Sequence, residues 1–282
     1  MRRLLTHASR ALLIVLLAAV FSALLARYSP GALVDERELN PRLSEDSLRH
    51  IRAEQAAQHS LGRNLALYLQ GIGKGDLGYS TSNSAPVAAL IRDRAPATLR
   101  EIGYGLAAAW LAGFAFAIPG IRRKGTGVYH AASAILAGIL LSLPVALIAY
   151  LSVEAGAPLA IVMALALAPR VFRFTRNFLE QAYRAPDIET ARANGVGEWR
   201  IFRAHVLPAA SPQLFSFAAI SITMAIGAAI PVETICDAPG LGRLAWQAAL
   251  ARDLPLLVNL TMLIALVTTA ATGLAEALGG VA

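Results

Sequence analysis

The feature that most constrains this chain is a series of long apolar runs in which polar side chains hardly intrude. A helix on the surface of a soluble domain alternates an apolar and a polar face. Runs such as 99–121 and 214–232 are apolar nearly all round, so a soluble two-domain enzyme of this length is disfavoured and a lipid-solvated chain is expected. The composition agrees. The chain is 56% hydrophobic and 15% charged, where soluble domains carry about 45–50% apolar and about 25% charged residues.

A helix crosses the hydrocarbon core in about 20 residues. Six segments qualify or nearly qualify, at about 11–26, 99–121, 131–151, 158–174, 214–232 and 254–275. The fold class expected is an all-α integral membrane protein with about six transmembrane helices. The first run follows Arg2, Arg3 and Arg10, as a signal peptide would. No small-x-small cleavage site follows Ala26, which is succeeded by Arg27, Tyr28 and Ser29, so a retained helix is expected. Two parts are expected: 1–98, the first helix with an external segment, and 99–282, a core of five helices with a cytoplasmic loop at about 186–208. In the external segment, Leu48 to Leu69 reads as a short helix, and Gly71, Gly73, Gly75 and Gly78 break it into turns.

The net charge of +7 is almost all arginine, since Lys74 and Lys124 are the only lysines. These residues flank the apolar runs, as the positive-inside rule requires. No basic stretch away from a span carries interleaved aromatics, so no nucleic-acid partner is expected. The link holding Arg122, Arg123 and Lys124, and the link holding Arg176, Arg184, Arg192, Arg200 and Arg203, are assigned to the cytoplasm. Both termini follow them, on a multi-pass chain of the inner (cytoplasmic) membrane, and 233–253 faces outside.

The sequence lacks the usual constellations of catalysis. A P-loop needs Lys followed by Ser or Thr, but Lys74 precedes Gly75 and Lys124 precedes Gly125. There is no H-E-x-x-H and no G-x-S-x-G. His7, His50, His59, His130 and His205 are scattered, and Cys236 is the only cysteine, which excludes an intrachain disulfide and a Cys-rich zinc site. Glu101, Glu154, Glu233 and Glu276 stand near span ends, which weighs against ion coupling through acids within the membrane. The expectation is a transport subunit, not an enzyme, with no catalytic residues, no metal and no cofactor of its own.

The cytoplasmic link from Pro186 to Pro208 is the informative segment. Asp187 can cap a helix with Glu189 in its first turn. Gly195 can end that helix in a left-handed conformation, and a second helix follows from about Glu198 to Val206, before Pro208. Ile188, Ala191 and Val196 offer apolar contacts on such a knob, and Glu189 and Arg192 offer charges. The alternative is an amphipathic loop lying on lipid.

Glu189, Thr190 and Ala191, then Gly195, then Leu207 and Pro208 resemble the EAA loop of binding-protein-dependent ABC importer permeases, with Thr190 in place of the first Ala and His205 in place of an Ile. The resemblance narrows to the dipeptide, oligopeptide and nickel permeases through further runs. These are Gly75-Asp76-Leu77-Gly78, Pro86-Val87 with Arg94 to Leu99, Leu141 to Pro144, Pro239 to Leu244, and Ala251 to Pro255. It implies a type I ABC importer permease fold. It implies that Glu189, Thr190, Ala191, Arg192, Gly195, His205, Leu207 and Pro208 form an ATPase-coupling loop, and that Gly240, Gly242, Arg243 and Asp253 belong to an external motif. It implies as partners a second permease subunit, two cytoplasmic ATPase subunits that carry ATP and Mg, an external substrate-binding protein and the lipid bilayer. The chain departs from the pattern in a short link between the third and fourth spans, a compressed end of the second span and a missing polar carboxyl-terminal tail.

Peptide is the preferred cargo. Nickel favours imidazole and soft metals favour sulfur, whereas the middles of the spans hold no His or Cys and only the scattered Met163, Met224 and Met262. A nickel or metal-chelate permease of the same group, a stand-alone secondary carrier, a membrane-embedded enzyme and a scaffold that no longer transports are the alternatives.

Overall fold

The structure is a computed structural model that describes residues 76–122 and 127–279, together with 13, 14, 17, 18, 20 and 21. The helix read over Leu48–Leu69, the turns at Gly71, Gly73 and Gly75, and most of the first span lie outside the described residues.

A short hairpin of β1 (Tyr79–Ser80) and β2 (Ala85–Pro86) leads into α1 (Val87–Arg122). Then follow α2 (Gly127–Ser142), α3 (Val145–Glu154), α4 (Leu159–Tyr183), α5 (Pro186–Ala193), α6 (Glu198–Ile201), a π turn (Phe202–Val206) and α7 (Leu207–Ile235). Helices α8 (Leu241–Leu250) and α9 (Leu254–Gly279) complete the described chain. The described residues fall into two compact units, 94–244 with 266–279, and 76–93 with 245–265 and the few described residues between 13 and 21.

Three of the described helices are long and apolar enough to cross a membrane: Val87–Ile121, Glu198–Ile235 and Leu254–Glu276. The pair α2–α3 makes a fourth crossing if it is taken as one bent span. The sequence reads 131–151 as one helix; instead the chain bends by 94° between Ser142 and Val145. Pro144 has no N–H to donate and its ring opposes the carbonyl four residues back, so a new helix starts after it. Span 2 begins earlier than expected, at Val87, because Pro96 is tolerated within the helix. Helix α4, expected as a span over 158–174, runs on to Tyr183 and is not among the helices apolar enough to cross, because from Arg170 onward it carries Arg170, Arg173, Arg176 and Glu180. Pro231 does not end α7, which continues to Ile235.

In the first unit α7 packs on α4 and α3, and α2 packs on α4. Helices approach closely where side chains are small. Gly105, Ala109, Gly113 and Ala117, one turn apart on α1, are all buried. A Cβ on Gly105 would overlap Met163 Cβ, and one on Gly113 would lie 2.7 Å from Val171 Cγ1 and 3.2 Å from the Phe172 amide. The core beside this seam is aromatic. Phe217 stands 5.7 Å from Trp110 and 4.5 Å from Phe174 between ring centroids, and Trp110 Nε1 donates to Ser221 Oγ at 3.1 Å.

Candidate functional site

The segment 186–208 forms a knob built on the chain's own core. Pro186 occupies the first turn of α5, where its missing N–H costs nothing and its fixed φ suits a helix. Asp187 is therefore inside that turn, and no side chain caps it; its acid still favours the positive helix end. Gly195 ends α5 with φ of +75°, and the Val196 amide donates to the Ala191 carbonyl at 3.1 Å, the return hydrogen bond of a left-handed helix end.

The apolar side of α5 turns inward. Ile188 is 1% exposed and Ala191 8%. They pack with Leu179, Ile201, Phe202, Val206, Ala210 and Leu214 in one cluster. Ile188 and Ala191 are thus anchors of the knob and not contacts it offers outward. The outward face presents Glu189, Thr190, Arg192 and Arg200, with Trp199 51% exposed and stacked on Phe202. An ion pair of 2.7 Å between Arg192 Nε and Glu198 Oε1 ties α5 to α6. His205 Nδ1 lies 3.7 Å from Asp187 Oδ2.

The second short helix does not stop before Pro208. The chain is helical from Glu198 to Ile235, with a π turn over Phe202–Val206 immediately ahead of Leu207 and Pro208. A widened turn there relieves the clash that a proline ring makes with the preceding turn. One turn later Pro212 lacks the amide that Pro208's carbonyl would accept, and Ser211 Oγ donates to that carbonyl at 2.8 Å instead.

The second motif, of Gly240, Gly242, Arg243 and Asp253, divides into two settings. Gly240, Gly242 and Arg243 wrap a carboxylate that sequence reasoning missed. Glu233, 1% exposed at the end of α7, accepts from Thr98 Oγ1 at 2.6 Å, the Gly242 amide at 2.6 Å and the Arg243 amide at 3.1 Å. Thr98 Oγ1 in turn accepts from the Leu241 amide at 2.7 Å. The amino-terminal amides of α8 are thereby satisfied by an internal anion. A Cβ on Gly240 would overlap the Glu233 carboxylate, and one on Gly242 would lie 2.8 Å from the Ala229 backbone. Arg243 reaches back to Asp237, with Nη2 2.6 Å from Oδ1. Glycines at 240 and 242 near a span-end glutamate were the available signal.

Asp253 serves the hairpin. Its Oδ2 accepts from Ser80 Oγ at 2.5 Å, Ser82 N at 3.0 Å and Ser82 Oγ at 2.7 Å, and its Oδ1 caps α9 through the Leu256 amide at 3.2 Å. Burial raises such a carboxyl, but these donors outweigh it and hold Asp253 below its ordinary pKa. Asn259 Nδ2 donates to the Leu77 carbonyl at 2.8 Å, fixing the run that holds Asp76 and Gly78.

Comparison with known proteins identifies the family. A Brucella suis protein named as a peptide transport system permease is 28% identical over 288 residues, covering 92% of this chain and 90% of that one. The oligopeptide transport system permease OppB of Escherichia coli K12 is 32% identical over 104 residues, covering 37% of this chain and 34% of that one. Among solved structures, an inward-facing MetNI methionine ABC transporter shares the fold, with a TM-score of 0.52 and 23% identity over 67% of this chain and 96% of that one. The model of the binding-protein-dependent transport system inner membrane component family matches residues 105–279. The chain belongs to that family and is a multi-pass inner-membrane permease subunit of an ABC-type importer.

Proposed function

We propose that this chain forms one half of the pore of a peptide importer. It pairs with a second, related permease chain. Two cytoplasmic ATPase subunits, which carry ATP and Mg, dock on the 186–208 knob, and an external binding protein delivers the cargo. The observation that carries the reading is the knob itself: a polar face of Glu189, Thr190, Arg192, Trp199 and Arg200 on a base buried in the core. A rigid outward patch at the end of a long apolar helix suits a groove on a soluble motor. Closure of the ATPase pair would move the knob and rock the spans. Peptide cargo is supported by the peptide permeases among the relatives. Gly240, Gly242 and Arg243 in one unit, and Asp253 in the other, each order a segment on the side of the binding protein, and both termini lie in the cytoplasm.

Coupling is tested at two positions. Gly195→Val places a β-branched residue at a φ of +75°, which costs about 1–2 kcal/mol. If docking bears that cost, peptide-stimulated ATP hydrolysis by the reconstituted complex falls about tenfold. Glu189→Lys reverses a charge on the exposed face and lowers stimulation as well. Full stimulation in both variants, with normal assembly, removes the knob from the mechanism.

Orientation is tested by cysteine labelling. In a Cys236→Ser background, Gly197→Cys adds a Cβ that meets nothing within 4 Å, and Ala251→Cys lies at an exposed position. An impermeant maleimide applied to intact spheroplasts is expected to label position 251 and spare 197. The opposite pattern inverts the topology.

A further inference from the structure

A cavity of about 320 Å³ lies between α2 and α4, lined by Ala134, Gly138, Phe172, Arg173, Arg176, Asn177 and Glu180. Its shape comes from a size mismatch. Ala134 and Gly138 stand one turn apart on α2, and a Cβ added to Gly138 would meet nothing within 4 Å. Opposite them α4 presents polar groups at helical spacing. Arg176 Nε is paired with Glu180 Oε1 at 2.6 Å. Arg173 has no ion-pair partner among the described residues, so the cavity wall carries one surplus positive charge.

Two observations say what that charge meets. The first is depth. The sequence reads 158–174 as the apolar segment of α4, and Arg173 and Arg176 stand at and just beyond its charged end, where a span meets the headgroups. The second is the rim. Ile135 and Ile139, next round the helix from Ala134 and Gly138, are 62% and 54% exposed, so the cavity opens beside an apolar strip. An anion at headgroup depth with apolar chains below it is a phospholipid. A single surplus arginine matches a phosphodiester, and a headgroup with no compensating cation fits best.

We propose that the α2–α4 cavity is a binding site for the phosphate of an anionic phospholipid. Arg173 and Asn177 hold its oxygens, and the acyl chains lie along Ile135 and Ile139. The leaflet, but not the site, rests on the orientation proposed above, and the labelling at positions 197 and 251 tests that orientation separately.

The experiment is native mass spectrometry of the full-length chain in detergent, titrated with phosphatidylglycerol, phosphatidylethanolamine or inorganic phosphate. The readout is lipid retention, so it does not depend on transport, cargo or ATPase. Wild type is expected to retain phosphatidylglycerol in preference to phosphatidylethanolamine. Arg173→Gln is expected to weaken that retention about tenfold, the equivalent of one ionic contact at about 1.4 kcal/mol. Gly138→Leu fills the cavity while leaving every charge in place, and is expected to weaken it as much; Arg173→Lys keeps most of it. Equal retention by wild type, Arg173→Gln and Gly138→Leu overturns the site. Displacement of the lipid by millimolar inorganic phosphate assigns the pocket to a soluble anion and overturns the lipid.

Discussion

Glu233→Ala is expected to be the most destabilising single change in the described part of this chain. The carboxylate accepts from Thr98, Gly242 and Arg243 at a position 1% exposed. Hydrogen bonds to a charged group contribute about 1.5–3 kcal/mol each, and donors left without an acceptor in a buried site cost about 1–3 kcal/mol each. The loss is therefore about 3 kcal/mol or more. Thermal unfolding of the purified chain, followed by the fluorescence of Trp110, Trp199 and Trp246, measures it. Gly240→Ala is expected to lower the midpoint comparably, because its Cβ occupies the space of the carboxylate. Glu233→Gln is expected to fall between, since it keeps the shape and one acceptor but turns an NH₂ toward amide donors. Midpoints unchanged in all three variants would show that the carboxylate does not hold α1, α7 and α8 together.

The second large effect is expected at the α1–α4 seam. Gly105→Leu and Gly113→Leu force side chains into space held by Met163, Val171 and the Phe172 backbone. Overpacking of this kind costs about 1–3 kcal/mol per site, and the two sites load the same contact, so the double variant is expected to lose folded yield altogether. Gly103→Leu is the control. It lies on the same helix, exposed, with nothing within 4 Å of its Cβ, and a change within about 0.5 kcal/mol is expected. If Gly103→Leu and Gly113→Leu melt alike, the helices do not depend on close approach at Gly113.

What the sequence reveals and what it conceals follow from range. The apolar runs announce helices because a helix buried in lipid needs apolar side chains all round. Gly195 announces a helix end because its backbone geometry is local. The inward turn of Ile188 and Ala191 is not local: an eight-residue helix with few apolar positions does not declare which face is covered. Glu233 is concealed for a similar reason. It reads as one more acid near a span end, and its role depends on Thr98 and on the amides after Gly240, groups far apart in the chain. Prolines inside the expected spans behave in two ways. Pro144 breaks a helix, whereas Pro96, Pro208, Pro212 and Pro231 lie within helices, and at Pro208 and Pro212 a widened turn and the Ser211 hydroxyl supply what the rings remove.

The unbroken helix from Glu198 to Ile235 has a mechanical consequence. At 1.5 Å per residue its 38 residues make a strut about 57 Å long, longer than the hydrocarbon layer is thick. Trp199 sits at one tip and Glu233 at the other, so the knob and the amides of α8 are fastened to opposite ends of one stiff member. A sideways push on one end of such a member is carried along it, as tilt of the whole and as bending where its hydrogen bonding is interrupted. Its hydrogen-bond ladder is interrupted at the π turn beside Pro208 and again at Pro212 and Pro231. In the coupling proposed above, a displacement at Trp199 would reach Glu233 through this single element, without any segment having to unfold.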